Sequence, residues 1–170
     1  NTTGSSGHAT VVDASGLNLG SSTVGGNLIA TATTGNMTDS GALAISGTSS
    51  FTTSASGADI TLNTTTNAFT GAVALNTTGS QWNNASERGD ATIDGGTTAL
   101  DIAASTVGGI LYLRSGNASG ITDSGTVTVG NWFVATTDDN NGVITLDSLA
   151  VDAGIHLNTH GTGNATAVND

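Results

Sequence analysis

The densest run of potential metal ligands lies at residues 138–142, which read Asp-Asp-Asn-Asn-Gly. Carboxylate and amide oxygens in a loop that contains glycine can bind Ca²⁺, and Asp138, Asp139 and Asn141 are the candidate ligands. The sequence lacks the Gly-Gly-x-Gly-x-Asp nonapeptide of calcium-binding β-rolls. A solvated turn is therefore the simpler interpretation, and the sequence predicts neither a metal nor another cofactor.

Cleavage of a polysaccharide is the enzymatic alternative. It requires paired carboxylates, or a carboxylate beside a basic residue, on one exposed face. Lysine is absent, and the basic residues are Arg88 and Arg114. Most acidic residues are spread along the chain: Asp13, Asp39, Asp59, Asp90, Asp94, Asp101, Asp123, Asp147 and Asp152. The sequence therefore predicts that this protein is not an enzyme.

The histidines are too few and too scattered to predict a zinc site: His8, His156 and His160. His156 lies between Ile155 and Leu157, so its side chain is expected to face solvent on a strand. Thr-x-Thr stretches at residues 31–33 and 126–128 raise the alternative of ice binding. These stretches do not recur once per coil on one face, so ice binding is not favoured.

An apparent insertion at residues 81–89 contains one of two tryptophans, one of two arginines and the single glutamate. A surface loop is the simpler interpretation. Because Trp and Arg are frequent anchors of interfaces, Trp82 and Arg88 are the interaction candidates. Seven Asn-x-Ser/Thr sequons are candidate glycosylation sites: Asn1, Asn36, Asn63, Asn76, Asn84, Asn117 and Asn164.

Small residues dominate the elements that must position these groups. Thr, Gly, Ser and Asn number 31, 25, 18 and 16 among 170 residues, and they disfavour helices. Such a composition is also typical of flexible linkers, but hydrophobic residues form 36% of the chain and occur in short alternations. The net charge of −11 argues against nucleic acid and anionic lipid as partners. The absence of cysteine leaves no disulfides to stabilise an exported protein.

Nine short alternations of apolar and polar residues predict β-strands. They lie at residues 17–19, 43–45, 60–62, 73–75, 100–102, 111–113, 127–129, 144–146 and 155–157. The Gly-containing pairs between them are typical of turns. No helical periodicity of useful length is present, so the chain is predicted to be all-β.

The chain also contains a long internal repeat. Its motifs are Ser-Thr-Val-Gly-Gly at residues 22–26 and 105–109, Thr-Asp-Ser-Gly at 38–41 and 122–125, and Ile-Thr-Leu at 60–62 and 144–146. Asp39 and Asp123 are equivalent in this repeat, which indicates a role in turns. The predicted units are a first copy (residues 1–75), a second copy with the insertion (residues 76–157) and the start of a third (residues 158–170).

A unit of about 75 residues divides into about four coils of roughly 19 residues, which is typical of a parallel β-helix. The predicted fold is therefore a parallel β-solenoid of about eight coils. Leu, Ile, Val and Ala would stack inside, and Thr, Asn and Ser would face water. A two-sheet sandwich is the alternative fold.

These motifs, with Ala-Asp-Ile-Thr-Leu-Asn at 58–63 and Gly-Ala-Val-Ala-Leu-Asn at 71–76, resemble the β-strand repeats of giant filamentous-haemagglutinin-like exoproteins. Many of those belong to the two-partner secretion systems of Gram-negative bacteria. The resemblance covers essentially the whole chain. It implies a right-handed β-helical shaft, extracellular or on the bacterial cell surface, that lacks catalytic residues.

The expected function is thus that of a non-catalytic shaft segment of a secreted filamentous adhesin or surface fibre. A self-assembling filament or sheath subunit that stacks end to end is the alternative. The expected partners are neighbouring coils or copies of the chain itself, and host or matrix glycans or proteins. The segment is expected to continue into further coils.

Overall fold

The computed structural model describes residues 1–79 and 87–170, apart from the side chains of residues 139 and 140. The described residues form twenty β-strands and contain no α-helix. The strand pairings are parallel throughout. Short alternations rich in Thr, Val, Ile and Leu suit such strands, because β-branched side chains pack well on a pleated surface.

The strands form three sheets. The first sheet contains β1 (Ala9–Asp13), β4 (Leu28–Ala32), β7 (Ser49–Ser56), β10 (Val73–Thr78), β12 (Leu100–Ile102), β13 (Ser105–Val107), β15 (Ile121–Asp123), β16 (Val127–Val129), β18 (Ile144–Val151) and β20 (Ala165–Asn169). The second sheet contains β2 (Leu17–Leu19), β5 (Met37–Asp39), β8 (Ile60–Leu62), β11 (Ala91–Asp94), β14 (Leu111–Ser115), β17 (Trp132–Asn140) and β19 (Gly154–His160). The third sheet contains β3 (Ser22–Val24), β6 (Leu43–Ile45) and β9 (Ala68–Phe69).

Each full coil of the early part of the chain contributes one strand to each sheet in turn. In the later coils, the strand that follows the second-sheet strand is β12, β15 or the beginning of β18. These strands belong to the first sheet rather than to the third, because Val73 of β10 pairs with Ile102 of β12.

An inward column of the second sheet gives the length of a coil. Its members, paired in register from strand to strand, are Leu17, Met37, Ile60, Ala91, Leu111, Phe133 and Ile155. Successive members are 20, 23, 31, 20, 22 and 22 residues apart, and the longest step includes residues 80–86. The solenoid has about seven coils, roughly 22 residues apart, and spans about 30 Å at the usual strand spacing. The predicted parallel β-solenoid is confirmed, with fewer and longer coils than expected.

Inward apolar side chains form a continuous core along the solenoid. The column members from Met37 to Phe133 are completely buried. The Phe51 and Phe69 rings pack edge to face with their centroids 6.0 Å apart. Each fully buried side chain of this size contributes about 1.5–3 kcal/mol to folding. All nine predicted strand segments lie within observed strands.

Equivalent motifs of the two copies lie on different sides of the solenoid. Ser22–Val24 is β3 of the third sheet, whereas its equivalent Ser105–Val107 is β13 of the first sheet. Ile60 belongs to β8 of the second sheet, and its equivalent Ile144 belongs to β18 of the first sheet. Equivalent strands are ten strands apart in the described residues. With three strands per coil, the repeat comprises three coils and one further strand rather than the four whole coils expected.

Side-chain oxygens connect successive coils at the corner that precedes the second sheet. Asn36 Oδ1 accepts a hydrogen bond from the Asp59 amide at 2.9 Å. Asp59 Oδ1 accepts one from the Asp90 amide at 2.7 Å, and Asp90 Oδ1 accepts one from the Ile110 amide at 2.8 Å. This Asx ladder (Asn36, Asp59 and Asp90) satisfies backbone donors that lie outside the strands.

Candidate functional site

A groove of about 460 Å³ lies on the solvent-facing side of the second sheet. We call it the Arg114 groove; its lining residues include Asn63, Asp94, Tyr112, Arg114, Thr136 and Asp138. They come from β11, β14 and β17 and from the segment that follows β8. The groove therefore crosses four successive coils.

Strand alternation and coil register bring these side chains together. Leu111 and Leu113 of β14 point into the core, so Tyr112 and Arg114 point outward. Arg114 pairs in register with Asp94 of β11 on one side and with Thr136 of β17 on the other. Neighbouring strands are about 4.8 Å apart, which places three polar outward side chains in one row.

Arg114 is held between two carboxylates. Its Nε forms a charged hydrogen bond with Asp138 Oδ2 and lies 3.8 Å from Asp94 Oδ2. The hydrogen bond and charge of Asp138 raise the pKa of Arg114. Because the Arg114 side chain is 56% exposed, water screens both pairs, so they contribute little to stability. Their effect is to fix the position of the guanidinium.

Asp94 is the buried member of this group. Its Oδ1 accepts a hydrogen bond from the Gly96 amide at 2.7 Å. Burial raises the pKa of Asp94, and the Gly96 hydrogen bond and the Arg114 charge oppose that shift. Gly96 has a φ of 57°, and a Cβ there would lie 2.3 Å from the Asn67 carbonyl oxygen. The turn that holds Asp94 therefore requires glycine.

Exposed aromatic side chains share the outward face. Tyr112 is 41% exposed and Trp132, at the start of β17, is 42% exposed. The Trp132 ring lies 5.0 Å from the His156 ring, centroid to centroid. A Cβ at Gly154 would lie 2.4 Å from the indole, so glycine allows the indole to lie against β19. His156 is exposed, as predicted.

The calcium candidates have other partners. Asp138 binds Arg114. Asn141 has a φ of 71°, and its Oδ1 accepts hydrogen bonds from the Thr162 amide at 2.9 Å and the Thr162 hydroxyl at 2.6 Å. The side chain of Asp139 lies outside the described residues. Within the described part of the chain, no group of three His, Cys, Asp or Glu side chains could hold a metal ion.

The two interaction candidates fall in different places. Trp82 lies outside the described residues. Arg88 is partly buried, and its Nη2 lies 3.4 Å from Asp90 Oδ2. Arg88 therefore lies against the corner of the Asx ladder.

The sequons differ in their exposure. Asn1, Asn36, Asn63 and Asn164 are exposed, whereas Asn76 and Asn117 are partly buried. Asn117 Nδ2 donates a hydrogen bond to the Thr97 carbonyl at 2.8 Å, which a glycan on that nitrogen would disturb. Asn84 lies outside the described residues.

Sequence reasoning did not assemble the Arg114 groove. The three charged residues of the groove are 20 and 24 residues apart in the sequence: Asp94, Arg114 and Asp138. At that spacing they do not form a recognisable motif. Those intervals are close to one coil, and each residue is at an outward position of its strand. The signal that could have revealed the groove is the spacing of charged outward residues by one coil. That signal can be recognised only when the coil length is known.

Comparison with known families gives a partial match. A family model described as repeats of unknown function (DUF5649) matches residues 6–76. Neither the curated proteins nor the solved structures include a match to this chain. The described residues contain no helix long and apolar enough to cross a bilayer. Together with the solenoid, the match identifies a β-repeat protein.

Proposed function

We propose that this chain is a non-catalytic shaft segment of a secreted bacterial filamentous adhesin or surface fibre. The observation that carries the proposal is the continuous stacking of parallel coils around one apolar core. In such a solenoid each coil contacts only its neighbours, and length increases with the number of coils. This geometry suits a spacer that holds a binding region away from the cell.

The outward surface supports the same role. Its small Thr, Ser and Asn side chains can vary without disturbing the core, and the net charge of −11 favours solubility. In the Arg114 groove, Asp94 holds the Gly96 amide and lies beside Arg114. These partners support a structural role for Asp94 over proton transfer to a substrate.

Immunogold electron microscopy of the producing bacterium tests the shaft. Antibodies against this segment should label surface fibres at positions between the cell and the fibre tip. Pre-immune serum is the control. Label confined to the cell interior would contradict the proposal.

End-to-end assembly is the second candidate, because terminal strands such as β1 and β19 have an unpaired edge within the described residues. Size-exclusion chromatography with light scattering separates the two candidates. A shaft segment should elute as a monomer of 16.5 kDa, whereas a filament subunit should form polymers whose length grows with concentration.

A further inference from the structure

The Arg114 groove has the size and the composition of a ligand site that the shaft role does not use. Its volume of about 460 Å³ is within the range of small-molecule sites, roughly 300–1,000 Å³. It crosses four coils, which is about 14 Å at the usual strand spacing. An elongated ligand could therefore lie across the strands.

One wall of the groove offers an aromatic surface. Tyr112 exposes 41% of its surface on a strand fixed by the buried Leu111 and Leu113. Val134, the register partner of Tyr112, also lines the groove. An exposed ring on a rigid strand can cover an apolar C–H face of a ligand at low cost in conformational entropy.

The remaining lining groups are hydrogen-bonding. Asn63 and Thr136 supply amide and hydroxyl groups that both donate and accept. Arg114 approaches both carboxylates through Nε, and the guanidinium carries further N–H donors on its Nη atoms. A ligand rich in hydroxyl groups matches this mixture of donors and acceptors.

The charges select against ionic ligands. Asp94 and Asp138 would repel uronates and sulfated sugars, because the single guanidinium of Arg114 pairs with both carboxylates and the three groups together keep one negative charge. A cationic peptide would have to compete with Arg114 for the same two carboxylates. A neutral polyhydroxylated ligand avoids both the repulsion and the competition.

We infer that the Arg114 groove binds a neutral oligosaccharide, with one sugar ring against Tyr112 and hydroxyl groups hydrogen-bonded to the side chains around Arg114. The inference goes beyond the shaft role and does not depend on it. A shaft with such a groove would bind glycans along its side.

Calorimetric titration of the purified 170-residue chain tests the inference with defined probes. The neutral probes are cello-, manno- and chitotetraose; the charged probes are tetragalacturonate, a heparin tetrasaccharide and tetralysine. At least one neutral tetrasaccharide should bind, and more tightly than every charged probe. Tyr112→Ala should weaken that binding at least tenfold, and Tyr112→Phe should restore it.

Ile29→Ala is the matched control, because Ile29 is a 49% exposed apolar residue in β4 of the first sheet. It should bind the neutral probe like the parent chain. Backbone amide shifts in NMR spectra should concentrate at three residues that line the groove on successive strands, Thr92, Tyr112 and Thr136. No binding of any neutral probe, tighter binding of a charged probe, or an equal loss in Ile29→Ala would overturn the inference and leave the immunogold test unaffected.

Discussion

Asp39 in the first copy and Asp123 in the second copy make the same contacts on different sides of the solenoid. Asp39 accepts hydrogen bonds from the amides of Asn63 and Thr64, at 3.2 and 3.3 Å. Asp123 accepts them from Asp147 and Ser148, at 3.0 and 2.9 Å. In each case the amides belong to the next coil, 24 and 25 residues further on. The stacking of adjacent coils thus determines what each motif does, and the side of the solenoid does not.

The copies differ in the contacts that surround these shared motifs. Asp39 also accepts a hydrogen bond from Asn67 Nδ2 at 2.7 Å, and Asn67 Oδ1 accepts one from the Leu43 amide at 2.8 Å. Asp59 belongs to the Asx ladder, whereas the equivalent position in the second copy is Val143. The second copy instead carries most of the Arg114 groove. The shared motifs therefore make the same contacts in both copies, whereas the polar side chains around those motifs differ.

The largest effect is expected for equivalent core residues of the two copies. Ile60→Ala and Ile144→Ala should each lower the free energy of unfolding by about 2–5 kcal/mol, because both isoleucines are buried and their removal leaves a cavity. Urea titration followed by circular dichroism measures both. Thr61→Ala and Thr145→Ala, the adjacent positions that face outward, are matched controls and should cost far less. A loss confined to one copy would show that the two sides are not equivalent.

The next test concerns the two aspartates. Asp123→Ala should cost about 1.5–3 kcal/mol, because the carboxylate accepts two backbone hydrogen bonds. Asp39→Ala should cost more, because it also removes a partner of the buried Asn67. The same urea titrations measure the difference.

A double-mutant cycle measures the energetic coupling between Asp39 and Asn67. Combining Asp39→Ala with Asn67→Ala should show a coupling energy of about 0.5–3 kcal/mol. Additive costs, or equal costs for the two aspartates, would mean that Asn67 does not distinguish the copies.

The smallest test uses pH. Burial raises the pKa of Asp59 above its ordinary value of 3.8, so the folded chain holds this proton more tightly than the unfolded chain. The stability contributed by this group is present below pH 3.8 and is lost as the pH rises through the folded-state pKa. Relative to the parent chain, Asp59→Asn should therefore become more stable between pH 3 and pH 7 in thermal unfolding.

Asp13→Asn is the control for the direction of this pH dependence. Hydrogen bonds from the Ser15 amide and hydroxyl lower the pKa of Asp13, so Asp13 stabilises the fold above its ordinary pKa and that contribution is lost as the pH falls. The difference between Asp13→Asn and the parent chain should run in the opposite direction. The same pH trend for both variants would contradict the environment assigned to Asp59.

The strands could be predicted from the sequence because alternation is a local property. Leu17 and Leu19, or Leu111 and Leu113, reveal an inward face without knowledge of their neighbours. The coil length could not be read in the same way. The steps from Leu17 to Met37 and from Met37 to Ile60 are unequal, at 20 and 23 residues, because the turns differ in length. Dividing the 75-residue unit into four equal coils therefore gives the wrong alignment of residues between neighbouring coils.

The contacts between coils depend on that register. The sequence links Asp39 and Asp123 to turns, whereas in the structure both carboxylates accept hydrogen bonds from amides of the following coil, and those bound by Asp123 lie in β18. The groove was missed for the same reason, since Asp94 and Arg114 become neighbours only when β11 and β14 are stacked. Local patterns predicted which residues face outward, and coil length decides which outward residues meet.

A repeat of ten strands wound three to a coil acts as a screw operation. Each copy advances by about 16 Å and turns the chain by a third of a revolution, so equal orientation returns after three copies, about 48 Å along the axis. In a longer chain of such copies, a group carried once per copy would follow a threefold spiral. Such groups would face three directions around the fibre, a third of a revolution apart, and every third copy would present its group to the same side.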